Sequence, residues 1–147
     1  MTVSYDQDIV AWAAEQARLI RAGQFDKLDI EHIADEIEDV GKGEQRELAS
    51  RMAMLVTHLL KWLYQPAFRS ASWSGSIREQ RRRIRLALKR TPSLKASLID
   101  PDWLEEAWSE GLTKAITETG LDAFPEAPIW TADQMLTEGW LPGGAED

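Results

Sequence analysis

A chain of 147 residues, 44% hydrophobic and 29% charged, is long enough for one domain with a real core, and no run of about 18 apolar residues offers a membrane span. It has no cysteine, which excludes a disulfide scaffold, thiolate metal ligands and thiol catalysis. A formal charge of −8 repels phosphate from the molecule as a whole, and the first residues have neither a basic nor an apolar leader, so a cytoplasmic location is expected.

The first predicted helix runs from about Asp6 to Ala22. Tyr5, Ile9, Trp12, Gln16 and Leu19 share one stripe, with Ala13, Ala17 and Ile20 beside it. Gly23 suits the left-handed position past the last turn. The second helix starts near Asp29. Its stripe of Ile30, Ile33, Ile37 and Val40 continues through Leu48, Met52, Leu55, Leu59 and Trp62. Gly41 and Gly43 each cost about 1 kcal/mol in a helix, yet the apolar phase is unbroken across them. One helix over about 29–65 is therefore favoured, with the glycines admitting a close neighbour; two helices broken near Gly41 are the alternative. Pro66 ends the segment.

The third helix begins at Ser72 or at Ser76, where Ser76-Ile77-Arg78-Glu79 has capping-box spacing, and carries Trp73, Ile77, Ile84 and Leu88 on its apolar edge. Thr91-Pro92 opens a short helix with Leu94 and Leu98. Asp100-Pro101 opens a longer one, with Leu104, Ala107, Trp108, Gly111, Leu112 and Ala115 as its stripe and Gly120 as its stop. Phe124-Pro125 and Ala127-Pro128 read as an extended link. A last short helix spans Thr131 to Glu138, capped at Thr131 and stopped at Gly139. No segment reads as a strand. The fold class is all-α, an up-and-down bundle of about four main helices including the long one, with residues 1–141 as a single helical domain and 142–147 as a disordered tail.

The charge is segregated. Residues 26–47 hold nine acids and three bases, 61–95 ten bases and one acid, and 96–147 twelve acids and one base. Such blocks face one another or form separate solvated surfaces. Arg78, Arg81, Arg82, Arg83, Arg85, Lys89 and Arg90 are candidates for polyanion binding, with Trp62, Tyr64 and Trp73 as nearby aromatics. These charges read as wrapped around the helix, and no nucleic-acid-binding signature accompanies them, so pairing with the acidic helices of 96–122 competes with that reading.

Glu44, Arg51, His58 and Gln65 recur every seven residues, with Lys61 one turn from the last two, and form a drifting polar seam beside the apolar stripe. His58, within a turn of Leu55 and Trp62, is expected to be largely buried and to take a hydrogen-bond partner from residues 73–85 or from the first helix. His32 and Glu36 stand one turn apart, a spacing that can hold a divalent metal, but the Glu-x-x-His pairs of di-metal bundles do not occur, and a solvated acidic face is the competing reading. Of seven tryptophans, Trp12, Trp62, Trp103 and Trp108 fall on apolar positions; Trp73, Trp130 and Trp140 lie at element ends and are candidates for partner contact or for packing over the bundle end. There is no phosphate loop, dinucleotide fingerprint or nucleophile elbow.

The combination of Tyr5-Asp6-Gln7-Asp8 with Trp12, Leu28-Asp29, Glu36-Ile37-Glu38, Gly41 and Glu44, the block His58 to Pro66, Trp73, Ile77-Arg78-Glu79-Gln80, Ser93-Leu94 and Phe124-Pro125 resembles the bacterial family called domain of unknown function 29. The resemblance implies a small, mostly helical protein and carries no activity, cofactor or functional residue with it.

The sequence thus points to a non-enzymatic interaction or regulatory module that self-associates as a homodimer, motivated by exposed tryptophan and a glycine-surfaced helix, and open to a further protein partner. Two alternatives stand: a nucleic-acid or other polyanion binder through helix 73–90, and an enzyme or metal-dependent protein using Glu44, His58 and Lys61. No cofactor and no membrane partner are expected.

Overall fold

The computed structural model describes residues 4–143. Five α-helices follow one another: α1 (Ile9–Arg21), α2 (Ile30–Tyr64), α3 (Ala71–Arg90), α4 (Pro101–Thr119) and α5 (Ala132–Leu136). Tight 3-10 turns occupy Phe25–Lys27, Pro66–Phe68 and Pro92–Ile99. No strand occurs among the described residues. The all-α class read from the sequence is the one present, with α1 to α4 as the main helices.

Helix boundaries follow local chemistry. Asp8, extended at φ −154°, accepts from the Ala11 N–H and so starts α1 later than Asp6, the residues before it being held in a turn by the Ser4 carbonyl. Gly23, at φ +72°, closes the helix as expected. The long helix is continuous through Gly41-Lys42-Gly43. The close neighbour expected there is missing: a Cβ at either glycine would meet nothing within 4 Å. Ser70, not Ser72 or Ser76, caps α3 by accepting from the Trp73 N–H, because Pro66–Phe68 has already turned the chain. Asp100 caps α4 with Pro101 in its first turn, and Gly120 at φ +72° ends it. Thr131 caps α5, which stops at Leu136, short of the expected Glu138. Of the tail expected to be disordered, Pro142 is buried and Gly143 lies in a turn; residues 144–147 are outside the described ones.

Within the span read as one helical domain, contacts divide into two compact units, the first ending at Gly43 and the second beginning at Glu44. In the first unit α1 runs antiparallel to the opening turns of α2. Trp12, Gln16 and Leu19 are its buried residues. Asp29, at the start of α2, gathers the contacts: its carboxylate accepts from the Trp12 indole N–H at 2.9 Å, and its own N–H donates to Gln16 Oε1 at 2.8 Å.

The second unit holds the core. Leu48, Met52, Leu55, Val56, Leu59 and Leu60 of α2 pack with Ile77 and Ile84 of α3, Trp103, Ala107, Trp108 and Ala115 of α4, and Met135 of α5. The segment Pro92–Ile99 touches α3, α4 and α5. Helices α2 and α4 approach closely at Gly111, where a Cβ would sit 2.6 Å from the Ala53 carbonyl and 2.8 Å from Val56. There the Thr57 hydroxyl is shared between the Ala53 and Gly111 carbonyls, at 3.0 and 2.8 Å. Trp108, Trp130 and Trp140 form an edge-to-face ladder with centroids 5.4 and 5.5 Å apart, and the Trp108 indole donates to the Pro125 carbonyl. Of the tryptophans considered for partner contact, Trp130 and Trp140 therefore pack over the end of this unit, and Trp73 is half-buried under the Lys61 ammonium at 4.9 Å.

Candidate functional site

Three regions bring chemistry-bearing residues together. The first is the arginine-rich helix α3. Arg78, Arg81, Arg82 and Arg85 stand at i, i+3, i+4 and i+7, which places all four on one face. The sequence reading, in which the charges wrap around the helix, overlooked this row because Arg83 and Arg90 fall on the other side. The face borders a half-open cavity of about 310 Å³ that Glu138 and Gly139 also line.

Arg81 is the unusual member, only 2% exposed. Its Nε donates to the Met135 carbonyl at 2.8 Å and its Nη2 to the Trp140 carbonyl at 2.6 Å, so it ties the end of α5 to α3. Burial first, and then the neighbouring Arg85, push its pKa down, with Glu138 opposing. A guanidinium stays charged through any such shift. Its position was legible: Arg81 lies four residues after Ile77 and three before Ile84, on the apolar edge itself.

The other arginines do not pair with the acids of 96–122, as the sequence suggested they would. Arg82 and Arg83 both hold Glu79, one turn earlier on the same helix, at 2.8 Å, and these hydrogen bonds pull the Glu79 carboxyl down to about 2. Arg85 reaches Glu138 at 3.6 Å. Local i,i+3 and i,i+4 partners win because they need no tertiary placement. Arg78, Lys89 and Arg90 have no carboxylate partner among the described residues.

The polar seam is the second region, and the structure divides it. Glu44 and Arg51 line an open cavity of about 280 Å³ with Arg83 and Arg90, while Arg51 also holds Glu47 at 3.1 Å. Lys61 pairs with Glu118 of α4 at 3.0 Å. Gln65 is half-buried at the end of α2. His58 is half-buried too, not largely buried as expected, and its Nδ1 finds no hydrogen-bond partner. The partner expected from residues 73–85 or from α1 is not there. Desolvation first, then the Lys61 charge, lower the His58 pKa, so the ring is neutral near pH 7.

The third region is the first unit. His32 and Glu36, considered for a metal, turn to separate partners. His32 Nδ1 meets Asp29 Oδ2 at 2.7 Å and its ring stacks on Tyr5 at 4.1 Å, while Glu36 accepts from the Tyr5 hydroxyl. The Asp29 hydrogen bond raises the His32 pKa, and Glu36 raises Tyr5 to about 12. No cluster of three or more possible metal ligands occurs among the described residues.

Beside this clasp lies an apolar face. Ile30, Ile37 and Val40 are 67%, 66% and 69% exposed, and Ile9, Val10, Ile20 and Phe25 are exposed as well. Ile30, Ile33, Ile37 and Val40 occupy one side of α2, next to the side that meets α1. Ile9, Ala13 and Ile20 occupy the corresponding side of α1.

The molecule is thus an all-α protein with a buried arginine tie and uncovered apolar stripes on α1 and the start of α2. No helix among the described residues is long and apolar enough to cross a membrane. The chain belongs to the family described as Domain of unknown function DUF29, whose profile matches residues 4–141. No curated protein and no solved structure matches it.

Proposed function

We propose that the chain is a non-enzymatic interaction module that works as a two-fold dimer, built by the apolar face of α1 and the first turns of α2 against the same face of a second copy. The observation that carries this reading is the exposure of Ile30, Ile37 and Val40. The same periodic stripe is buried from Leu48 onward and uncovered before it.

Two short helices with three buried residues lack the area to hold an apolar stripe against water, since chains of this size normally need a disulfide, a metal or a partner. A second copy supplies it. The stripes run about 15 Å along each helix, from the 1.5 Å rise, and about 20 Å across two helices side by side. That gives several hundred Å² of accessible surface, of the order of the roughly 800 Å² each partner gives to a standard interface. Its acids, Glu31, Asp35, Glu38 and Asp39, stand on the side of α2 away from the stripe, so two copies meet without opposing charges.

The test is sedimentation equilibrium of the wild-type chain and of Ile37→Glu and Val40→Glu at low and high salt. Dimer that persists in high salt and dissociates in both variants, with helix content unchanged, supports the reading. Wild-type chain that remains monomeric at high micromolar concentration overturns it.

A further inference from the structure

We propose that the cavity between α3 and the turn after α5 binds a small phosphorylated molecule, through the guanidinium groups of Arg78, Arg81, Arg82 and Arg85. This site is independent of the apolar face and stands whether or not the chain dimerises.

Four cations on one helical face repel one another and need counter-charge. The cavity wall contains only Glu79 and Glu138. Glu79 is already occupied by Arg82 and Arg83, and Glu138 sits on the rim, 81% exposed, at 3.6 Å from Arg85. Arg78 and Arg81 make no ion pair with a carboxylate among the described residues. Arg81 is the decisive group. It is held in place by two carbonyls, is almost wholly removed from water, and borders the cavity with its Nη1 unused by any hydrogen bond among the described residues. A neutral carbonyl shares its protons but does not neutralise its charge. A tetrahedral dianion offers three acceptor oxygens to several forked donors at once, the arrangement in which guanidinium groups bind most strongly.

Size and charge narrow the class. About 310 Å³ exceeds what a bare ion needs and suits a phosphomonoester or a diphosphate. The walls leave room for it: Gly75 and Gly139 present no side chain, and a Cβ at Gly139 would meet nothing within 4 Å. A long polyanion would instead meet the net charge of −8. It would also use Arg83 and Arg90, which lie off this face.

The experiment is calorimetric titration of the full chain with inorganic pyrophosphate and inorganic phosphate, and in parallel with a short single-stranded oligonucleotide. The variants are Arg78→Gln and Arg85→Gln, both exposed and outside the core, with Arg90→Gln as the control. Saturable pyrophosphate binding is expected, weakened roughly tenfold or more in each of the first two variants and unchanged in the third. Melting temperatures should be alike in all of them, which separates lost binding from lost fold. Absence of saturable binding by either phosphate probe overturns the proposal. So does binding that survives Arg78→Gln and Arg85→Gln, or oligonucleotide binding that depends equally on Arg90, which would make α3 an extended polyanion surface.

Discussion

Replacing Gly111 by alanine adds one methyl group where α4 meets α2 too closely to admit it. That methyl would lie 2.6 Å from the Ala53 carbonyl oxygen and 2.8 Å from two carbons of Val56, none of them the flexible end of a long side chain. Relief requires α2 and α4 to part by about 0.6–1 Å, enough to forfeit a quarter to a half of the affected dispersion contacts. Overpacking of this kind costs about 1–3 kcal/mol. The bond from Thr57 to the Gly111 carbonyl loosens with it, at about 1 kcal/mol. Against this stands a gain of about 1 kcal/mol from the better helix propensity of alanine. The net loss is about 1–3 kcal/mol, a fall in Tm of about 3–12 °C for a chain of this size. Gly43→Ala provides the contrast, because nothing lies within 4 Å of a Cβ there. It should raise Tm by a few degrees from the same propensity gain. Both variants are read by thermal melting in circular dichroism. If Gly111→Ala melts at or above wild type, the close approach of the two helices is not what the structure describes.

Three further outcomes follow from particular side chains. The folded-state pKa of His58 lies below its ordinary value, so the unfolded chain takes up the proton first and stability falls as pH drops through about 6.5; His58→Gln should flatten that part of the urea-midpoint profile, and an unchanged profile would refute the assignment. Tyr5 shifts the other way: the unfolded phenol ionises near 10 and the folded one near 12, so the clasp with Glu36 contributes fully below about pH 10 and is lost as pH rises towards 12. Spectrophotometric titration should show one late-ionising tyrosine that disappears in Tyr5→Phe. Arg81→Lys keeps the charge but cannot span the Met135 and Trp140 carbonyls, and should cost about 1.5–3 kcal/mol for the charged hydrogen bonds, measured by denaturant unfolding.

The helices were legible because their signals are local. Unbroken apolar phase carried α2 through two glycines, and Asp100-Pro101, Thr131 and Gly120 marked real ends. Errors arose where several residues could serve the same end. Ser70, Ser72 and Ser76 are all plausible caps, and only the turn at Pro66–Phe68 selects the first. Side-chain pairing was harder still. The acids of 96–122 matched the basic helix in bulk charge, but Glu79 was nearer in the chain. Arg81 was hidden among its neighbours as one more charge, although its place between Ile77 and Ile84 on the apolar edge marked it as buried. His58 lay on the border of the stripe, where periodicity alone does not separate half burial from full burial, or a satisfied ring from an unpartnered one.

The tryptophan ladder has an optical consequence. Trp108, Trp130 and Trp140 come from α4, from the extended link and from the segment after α5, and neighbouring rings stand within 5.5 Å. Indole chromophores that close exchange excitation much faster than they emit, so their fluorescence is that of the lowest-energy ring in the cluster. The near-ultraviolet coupling between Trp130 and Trp140, in turn, exists only while the segment after α5 is docked. Loss of that band while the far-ultraviolet helical signal persists would register Trp140 leaving Trp130 and Arg81 before any helix melts.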